Sequence, residues 1–443
     1  MRSVDPSTKL NRHGRMALKP RFLEHFRVEF WMVVAAFLLR VGLLMRPHAF
    51  DGVDDLSFVN EISNIATSLA EGHGFSSPFP FHGDSGPSAW VPPIYPFLCS
   101  VWLRVLGSGT RSLIAILSMN SLFSALTCVP LVRIAERLFN RRVALISGWV
   151  FALVPYFARW AVTWYWEITL STLLMTWLFW YALALREYDS LRGWISFGLL
   201  FGVAMLTNPS VMTLVGISIL WLLDVHGLKI WRRAALSLLV CFLVISPWLV
   251  RNRLVMHKWI FLRSNFGFEF SLGNYHGSAG DCWMGRHPWT SLAEYERYAN
   301  MGEAAYVNQR AHEGREFVRE YPEEFLRLCW YRFRIFWDGS VMRMRPRWQP
   351  YWLAWLYPLL TVTTSVGLLV MLFRRSLYAH LLFFVILLYP WPYYLDCVQS
   401  RFRHLIDPLM LMITVWVVTE TLQSGTKALR LYLHRADQEN ELT

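Results

Sequence analysis

The sequence is poor in charge, and it lacks the common signatures of soluble metal or nucleotide sites. Only 17% of its 443 residues are Asp, Glu, Lys or Arg, whereas 55% are hydrophobic. A soluble domain usually carries about 25% charged residues. The composition therefore argues against a soluble enzyme and against a disordered chain. The six cysteines form no C-x-x-C pair, no Walker or Rossmann glycine motif is present, and no cleavable signal peptide is recognisable.

The charge that is present is mostly positive. The formal net charge is +12, and the basic residues lie between apolar runs of membrane-spanning length. This arrangement favours lipid phosphate over nucleic acid as the anionic partner.

Apolar runs of about 20 residues, the length that crosses a bilayer, predict an all-α polytopic membrane protein with ten spans. The runs lie near 28–46, 111–133, 142–159, 166–185, 194–207, 209–224, 231–250, 351–373, 376–395 and 404–423. Asn208-Pro209 interrupts the stretch 194–224 and predicts a hairpin with its tip at membrane depth, where irregular backbone must line a cavity.

The apolar stretch 91–106 decides the orientation of the chain. It contains Pro92, Pro93 and Arg104. If it lies on the outer surface as an interfacial helix, the basic short loops all become cytoplasmic, as the positive-inside rule requires. If it crossed the membrane, every one of those loops would lie outside. We therefore expect a plasma-membrane (bacterial inner-membrane) protein with both termini in the cytoplasm.

This topology predicts five regions along the chain. They are a basic cytoplasmic N-terminus at 1–27, a transmembrane core at 28–250 with an outer loop at 47–110, a mostly helical outer region at 251–350, C-terminal spans at 351–423 and a cytoplasmic tail at 424–443. Helical signals cover 292–337 of the outer region, with a boundary at Pro322.

Three carboxylates on the outer side are candidate catalytic groups. Asp54 and Asp55 open an amphipathic pattern over 54–71, where one Asp is enough for a helix cap and a second is left to take a proton from a hydroxyl. Glu167 lies at the outer mouth of the fourth span, and intramembrane carboxylates favour a functional reading. The alternatives are a simple N-cap for the pair and an interfacial Glu held by Arg159.

Arginines from distant parts of the sequence face the same side. Arg251 follows the seventh span, and Arg401 and Arg403 precede the last one. Guanidinium groups suit a phosphate or diphosphate, although anchoring to lipid headgroups is the alternative for each one alone. His276 lies in the glycine-rich turn 273–277, which is either an ordinary turn or a close approach to a sugar or phosphate.

These residues occur within an ordered set of motifs. The set resembles the polyprenyl-phosphate-sugar-dependent membrane glycosyltransferases of the GT-C superfamily, in particular bacterial relatives of protein O-mannosyltransferases and of aminoarabinose transferases. The matching segments are Asp54-Asp55, Leu69–Phe75, Trp90–Pro96, Ala135–Arg142, Glu167, Leu206–Pro209, Pro247–Asn252 and Arg401–Pro408.

The resemblance implies a GT-C-like bundle with interfacial helices in the first outer loop. It implies transfer of a sugar, usually with inversion, from a polyprenyl phosphate to an acceptor hydroxyl of a protein, lipid or glycan. The expected base is Asp54, with Asp55 where relatives frequently have Glu. Arginines hold the departing phosphate. Many relatives have a basic residue before the hairpin-tip proline, whereas this chain has Asn208, so Arg251, Arg401 and Arg403 become the expected phosphate ligands beside Asn208 and His276.

Several alternatives stay open at this point. A lipid or glycan transporter, or flippase, is the second hypothesis, although no counterpart of the 194–224 break is evident in the last spans. A non-catalytic membrane scaffold is the third. No cofactor is predicted, and a divalent metal finds too few convincing outer carboxylates. A disulfide among Cys282, Cys329 and Cys397 is expected only in an oxidising compartment.

Overall fold

A computed structural model describes residues 20–46, 58–79, 85–280, 284–339 and 355–441. Within these ranges the regular structure is helical, apart from one antiparallel bridge between Ser76 and Pro87. The helices are α1 (Pro20–Leu44), α2 (Glu61–Glu71), α3 (Ile94–Leu106), α4 (Thr110–Leu126), α5 (Cys128–Leu138), α6 (Arg141–Leu153), α7 (Pro155–Thr163), α8 (Ile168–Glu187), α9 (Leu191–Met205), α10 (Met212–His226), α11 (Trp231–Met256), α12 (Phe266–Gly273), α13 (Leu292–Met301), α14 (Glu303–Glu320), α15 (Pro322–Asp338), α16 (Leu356–Phe373), α17 (Ala379–Leu388), α18 (Trp391–Leu395), α19 (Ser400–Arg403) and α20 (Asp407–Glu441).

The expected all-α membrane architecture is confirmed. Five helical segments are long and apolar enough to cross a bilayer: Thr110–Leu138, Ile168–Glu187, Pro209–His226, Leu228–Met256 and Leu356–Phe373. The pair α6 and α7, bent by 44°, makes a sixth if it is one span. The count of ten spans stays a prediction.

The interruption at Asn208-Pro209 is present. Helix α9 ends at Met205, the 3-10 turn Pro209–Val211 follows, and α10 then begins. The backbone N–H of Ile94 donates to the carbonyl oxygen of Leu206 at 3.1 Å. The start of α3 is thus tied to the broken end of α9.

Helix α3 is too short to be a span. It has 13 residues, against about 20 for a crossing helix. Tyr95 and Cys99 are buried on one face, whereas Phe97, Val101 and Val105 are exposed on the other. A helix with one apolar face open to the surroundings fits the interfacial position expected for 91–106.

Helix α2 begins later than the sequence predicted. The amphipathic pattern placed a helix over 54–71 with an Asp as its cap, but the helix starts at Glu61 and Asn60 is its N-cap. The Asn60 side chain accepts from the backbone N–H of Ser63, whose hydroxyl accepts from the N–H of Asn60. This reciprocal capping box fixes the start there, because it satisfies two amide donors at once.

The described residues of the predicted outer region 251–350 form several helices. Helices α12 to α15 follow one another, and Pro322 is the first residue of α15, where its missing N–H costs nothing. The carboxylate of Glu303 joins this region to the first outer loop. It accepts from the Ser88 hydroxyl at 2.6 Å, the Ala89 N–H at 2.8 Å and the Ser264 hydroxyl at 2.7 Å.

Pro155 interrupts the helical hydrogen bonding between α6 and α7, and a buried arginine donates to the carbonyl oxygens left there. Pro155 has no N–H for the carbonyl one turn earlier, at Phe151. The Arg40 guanidinium donates to the carbonyl oxygens of Phe151 at 3.2 Å and Ala152 at 2.9 Å, and to the Ser124 hydroxyl at 2.9 Å. A charge inside the first apolar run therefore supplies the donors that irregular backbone requires in a membrane.

Helices α9 and α11 pack backbone against backbone. Gly198 and Gly202 are four residues apart and face Ser237, Cys241 and Val244 of α11. Small residues at this spacing let two membrane helices approach closely. A Cβ atom on Gly198 would collide with the backbone carbonyl of Ser237.

We expect Gly198→Ala to lower the stability of the purified chain by about 1–3 kcal/mol, the usual cost of overpacking. The midpoint of thermal unfolding measures this. Gly216→Ala is the matched control, because a Cβ there meets no atom within 4 Å. It should leave the midpoint unchanged or raise it, and equal losses in both variants would contradict the close contact.

Candidate active site

Glu167 lies where a long helix begins, at the end of the bundle that holds the broken helices. It directly precedes α8, and its Oε1 accepts a hydrogen bond from Nδ2 of Asn208 at 3.4 Å. Burial raises the pKa of Glu167 to about 7, although the positive charges of Arg401 and Arg263 act in the opposite direction. Glu167 is therefore a half-buried carboxyl whose pKa lies above that of an exposed Glu.

Both polar atoms of the Asn208 side chain form hydrogen bonds within the protein. Its Oδ1 accepts from the backbone N–H of Ser210 at 3.0 Å and from the Ser210 hydroxyl at 2.6 Å, while its Nδ2 donates to Glu167. The amide thus caps the 3-10 turn at the hairpin tip and orients the carboxyl of Glu167. Asn208 was predicted to bind the phosphate of the sugar donor. It is the predicted residue that hydrogen-bonds Glu167.

Arg401 is a half-buried cation that lies against three aromatic rings. Its guanidinium carbon lies 4.5 Å from the ring centroid of Trp166, 5.2 Å from that of Trp164 and 5.3 Å from that of Phe402. Its side chain makes no hydrogen bond or ion pair with the part of the chain that the structure describes, and its Nε is buried without a partner.

Three carboxylates surround that cation. Burial lowers the pKa of Arg401, while the negative charges of Glu167, Glu269 and Glu61 favour its charged form. Glu167 and Arg401, which are far apart in sequence, therefore share one site. The guanidinium has N–H groups left for an anion.

Arg403 is committed to the protein. Its Nε donates to Asp407 Oδ1 at 3.0 Å, its Nη1 to the Thr361 hydroxyl at 2.9 Å and its Nη2 to the carbonyl oxygen of Tyr357 at 2.9 Å. Arg403 and Asp407 are both fully buried. The structure thus directs Arg403 to the contact between α16 and α20, not to the position of Arg401.

Arg251 and His276 also have protein partners elsewhere. Arg251 donates to the carbonyl oxygens of Ser88 at 2.6 Å and Phe75 at 2.7 Å, so it fastens the first outer loop to the end of α11. His276 pairs with Glu324 at 3.0 Å and is mostly exposed. Neither contacts Glu167 or Arg401.

Further polar residues of this site were not selected from the sequence. The charge of Arg263 reaches both Glu167 and Asp396, and its Nη2 lies 3.6 Å from Glu269 Oε1. Burial and the negative charge of Glu269 raise the pKa of Asp396. A carboxylate cluster assembled from different loops carries no motif, so the sequence offered no signal for it.

Glu269, Asp396 and Cys397 place potential ligand atoms within 4.8 Å of one another. Cys397 is disulfide-bonded, which removes its sulfur as a ligand. The two carboxylates could supply ligands to a Mg²⁺ ion that also binds a substrate phosphate. Cys329 is a free thiol, and Cys282 lies outside the described residues.

The first outer loop reaches the site through Asn60. Its side-chain Nδ2 donates to the carbonyl oxygen of Tyr165 at 3.0 Å, two residues before Glu167. Beside it, Glu61 pairs with Nε2 of His287 at 3.2 Å. Asp54 and Asp55, the predicted base and its neighbour, lie outside the described residues.

The two neighbouring arginines should respond differently to substitution. Arg403→Gln removes the charge partner of the buried Asp407, which keeps only the Tyr156 hydroxyl and His404 beside it, and we expect a loss of about 3–5 kcal/mol in unfolding free energy. Arg401→Gln removes a cation that makes no hydrogen bond or close ion pair with the described residues, and it should leave the thermal midpoint unchanged or slightly higher. Circular dichroism during heating tests this, and a similar loss for both variants would show that Arg401 has a structural role.

The sequence and the fold were compared with those of known proteins. The sequence model of the family described as dolichyl-phosphate-mannose-protein mannosyltransferase matches residues 90–250. No curated protein sequence matches the chain.

Among solved structures, the apo oligosaccharyltransferase of Archaeoglobus fulgidus superposes with a TM-score of 0.53 at 12% identity, over 92% of this chain and 52% of that one. The same organism's oligosaccharyltransferase AglB, in complex with an inhibitory peptide and a dolichol-phosphate, gives 0.52 at 13% identity, over 94% and 52%. ArnT from Cupriavidus metallidurans bound to undecaprenyl phosphate gives 0.41 at 14% identity, over 90% and 78%, a score too low to support an argument.

The chain spans about half the length of the oligosaccharyltransferase that it matches. The likeness at this level of identity concerns the fold. Together with the family match over 90–250, it confirms the resemblance of this chain to the GT-C membrane glycosyltransferases.

Proposed function

We propose that the protein is a membrane glycosyltransferase that moves a sugar from a polyprenyl-phosphate donor to an acceptor hydroxyl on the outer face of the plasma membrane. The observation that carries this proposal is Arg401, a half-buried guanidinium that makes no hydrogen bond with the described residues and lies near the carboxyl of Glu167. A departing phosphate needs positive charge where its negative charge accumulates. The family match and the oligosaccharyltransferase-like fold support the same reaction class.

In the proposed reaction the acceptor oxygen attacks the anomeric carbon from the side opposite the phosphate, with inversion. The new C–O bond forms as the sugar–phosphate C–O bond breaks, and the electron pair stays on the phosphate oxygen near Arg401. The acceptor proton passes to a carboxylate. Asp54 or Asp55 is the proposed base. Asn60, which follows this pair by five and six residues in the chain, donates from its Nδ2 to the carbonyl oxygen of Tyr165.

The proposed base is tested by the double variant Asp54→Asn, Asp55→Asn. General base catalysis contributes about 10²–10⁴-fold to a rate, so we expect transfer to fall at least a hundredfold with normal expression. Mass spectrometry of envelope glycans and proteins from a deletion strain identifies the product, and the complemented strain gives the readout. Glu71→Gln, at the exposed end of α2, is the control. Retained turnover in a well-folded double variant would refute the mechanism.

The pH profile tests Glu167. Its pKa is raised to about 7, so a carboxyl that acts as the anion gives activity that rises with pH and is half-maximal near that value. Glu167→Gln should remove this limb. Asn208→Asp keeps the cap but adds negative charge beside Glu167, and the limb should move to higher pH. Asn140→Asp, a cap at the other end of the bundle, should not move it. An unshifted limb in Asn208→Asp would mean that another group titrates.

Binding of the leaving group tests Arg401 without an acceptor. A polyprenyl phosphate of defined chain length should bind the purified chain, and Arg401→Gln should weaken binding at least tenfold. Arg253→Gln is the matched control, because that guanidinium is exposed and lies over Trp259. Equal binding by all three proteins would remove Arg401 from the site and leave the family assignment intact.

A further inference from the structure

A cavity lies at the end of the bundle opposite to Glu167 and Arg401. It has a volume of about 270 Å³, and its walls include Phe139, Asn140, Arg374, Ser376, Trp416 and Glu420. Helix α20 separates it from the proposed active site. From Asp407 to Glu420 a helix rises about 20 Å. The predicted orientation places this end in the cytoplasm.

The cavity lies at the end of a helix that is long and apolar enough to cross a bilayer. Arg374 directly follows α16, which is long and apolar enough to cross a bilayer. Leu369 and Phe373, on the last turns of that helix, are 54% and 86% exposed. These two exposed apolar side chains are available to contact acyl chains near the cavity.

An aromatic pair forms one wall. The rings of Phe139 and Trp416 stack with centroids 5.0 Å apart and an angle of 17° between planes. The guanidinium carbon of Arg374 lies 5.9 Å from the Trp416 centroid. The indole face thus already attracts a cation, which is a property of aromatic sites for ammonium groups.

The cavity carries one charge of each sign. Arg374 and Glu420 are 3.8 Å apart at closest approach, with side chains 62% and 44% exposed. An ion pair at this distance and exposure is worth little, so both groups can turn to other partners. Helix α6 begins beside Asn140, and the positive end of its dipole therefore faces the cavity near Arg374.

We propose that this cavity binds the headgroup of a zwitterionic aminophospholipid from the cytoplasmic leaflet. The phosphodiester pairs with Arg374 and lies near the first turn of α6. The ammonium group lies between Glu420 and the face of Trp416. An anionic lipid would bring its charge against Glu420 without an ammonium to offset it. The volume corresponds to about nine water molecules at roughly 30 Å³ each, which is room for a headgroup and not for a whole lipid.

This proposal does not depend on the glycosyltransferase assignment, and its test needs no activity. The delipidated full-length chain is titrated with phosphatidylethanolamine or phosphatidylglycerol and examined by native mass spectrometry. One saturable site with at least a fivefold preference for phosphatidylethanolamine is expected. Arg374→Gln should weaken binding at least tenfold, and Glu420→Gln should abolish the preference. Arg192→Gln, at the same end but outside the cavity, is the control.

Ser376→Leu is a second test in case the charge variants fold poorly. The larger side chain fills part of the cavity and keeps Arg374 and Glu420. It should reduce lipid retention while leaving the thermal midpoint unchanged. Equal retention of the two lipids by the unaltered chain would overturn the proposal, as would variants that bind normally. A third arm uses free phosphoethanolamine, and binding as tight as that of the lipid would assign the cavity to a soluble ligand.

Discussion

Backbone carbonyls that lose their helical partners inside a bilayer must find donors within the protein, and in this fold buried arginines provide them. Arg40 serves the break between α6 and α7. Arg251 serves the first outer loop, and Arg332 reaches the carbonyl oxygens of Gly280 and Leu395. Arg403 adds a donor to the carbonyl oxygen of Tyr357 in the first turn of α16. Each guanidinium sits where regular helix stops, so the irregular end of the bundle is held together by charge-assisted hydrogen bonds.

Arg401 stands out against this pattern. It is surrounded by rings and carboxylates, and within the described ranges its side-chain nitrogens donate to no carbonyl oxygen. A guanidinium kept in place by stacking needs little rearrangement when an anion arrives, which is the condition for strong electrostatic stabilisation. The same end of the bundle therefore separates arginines that maintain structure from one that is available to a ligand.

The sequence predicted the features that depend on local pattern. The all-α membrane class, the break at Asn208-Pro209 and the boundary at Pro322 follow from apolar periodicity and proline chemistry. The local pattern alone did not predict the start of α2, because the capping box of Asn60 begins the helix later than the amphipathic pattern did. The partners of Arg251 and Arg403 are backbone carbonyls in other segments, and identical residue types gave no means to distinguish them from Arg401. The cluster of Arg263, Glu269 and Asp396 arises only when separate loops meet.

Asp396 and Cys397 precede Arg401 by a few residues, and Cys397 is disulfide-bonded. The bond fixes the segment that carries the cation of the proposed site. Formation of this disulfide needs an oxidising environment, which insertion of the membrane helices does not. A chain inserted under reducing conditions would have its membrane helices but would lack the disulfide at Cys397 that constrains the segment of Arg401. Correct insertion alone would therefore not show that the protein is complete.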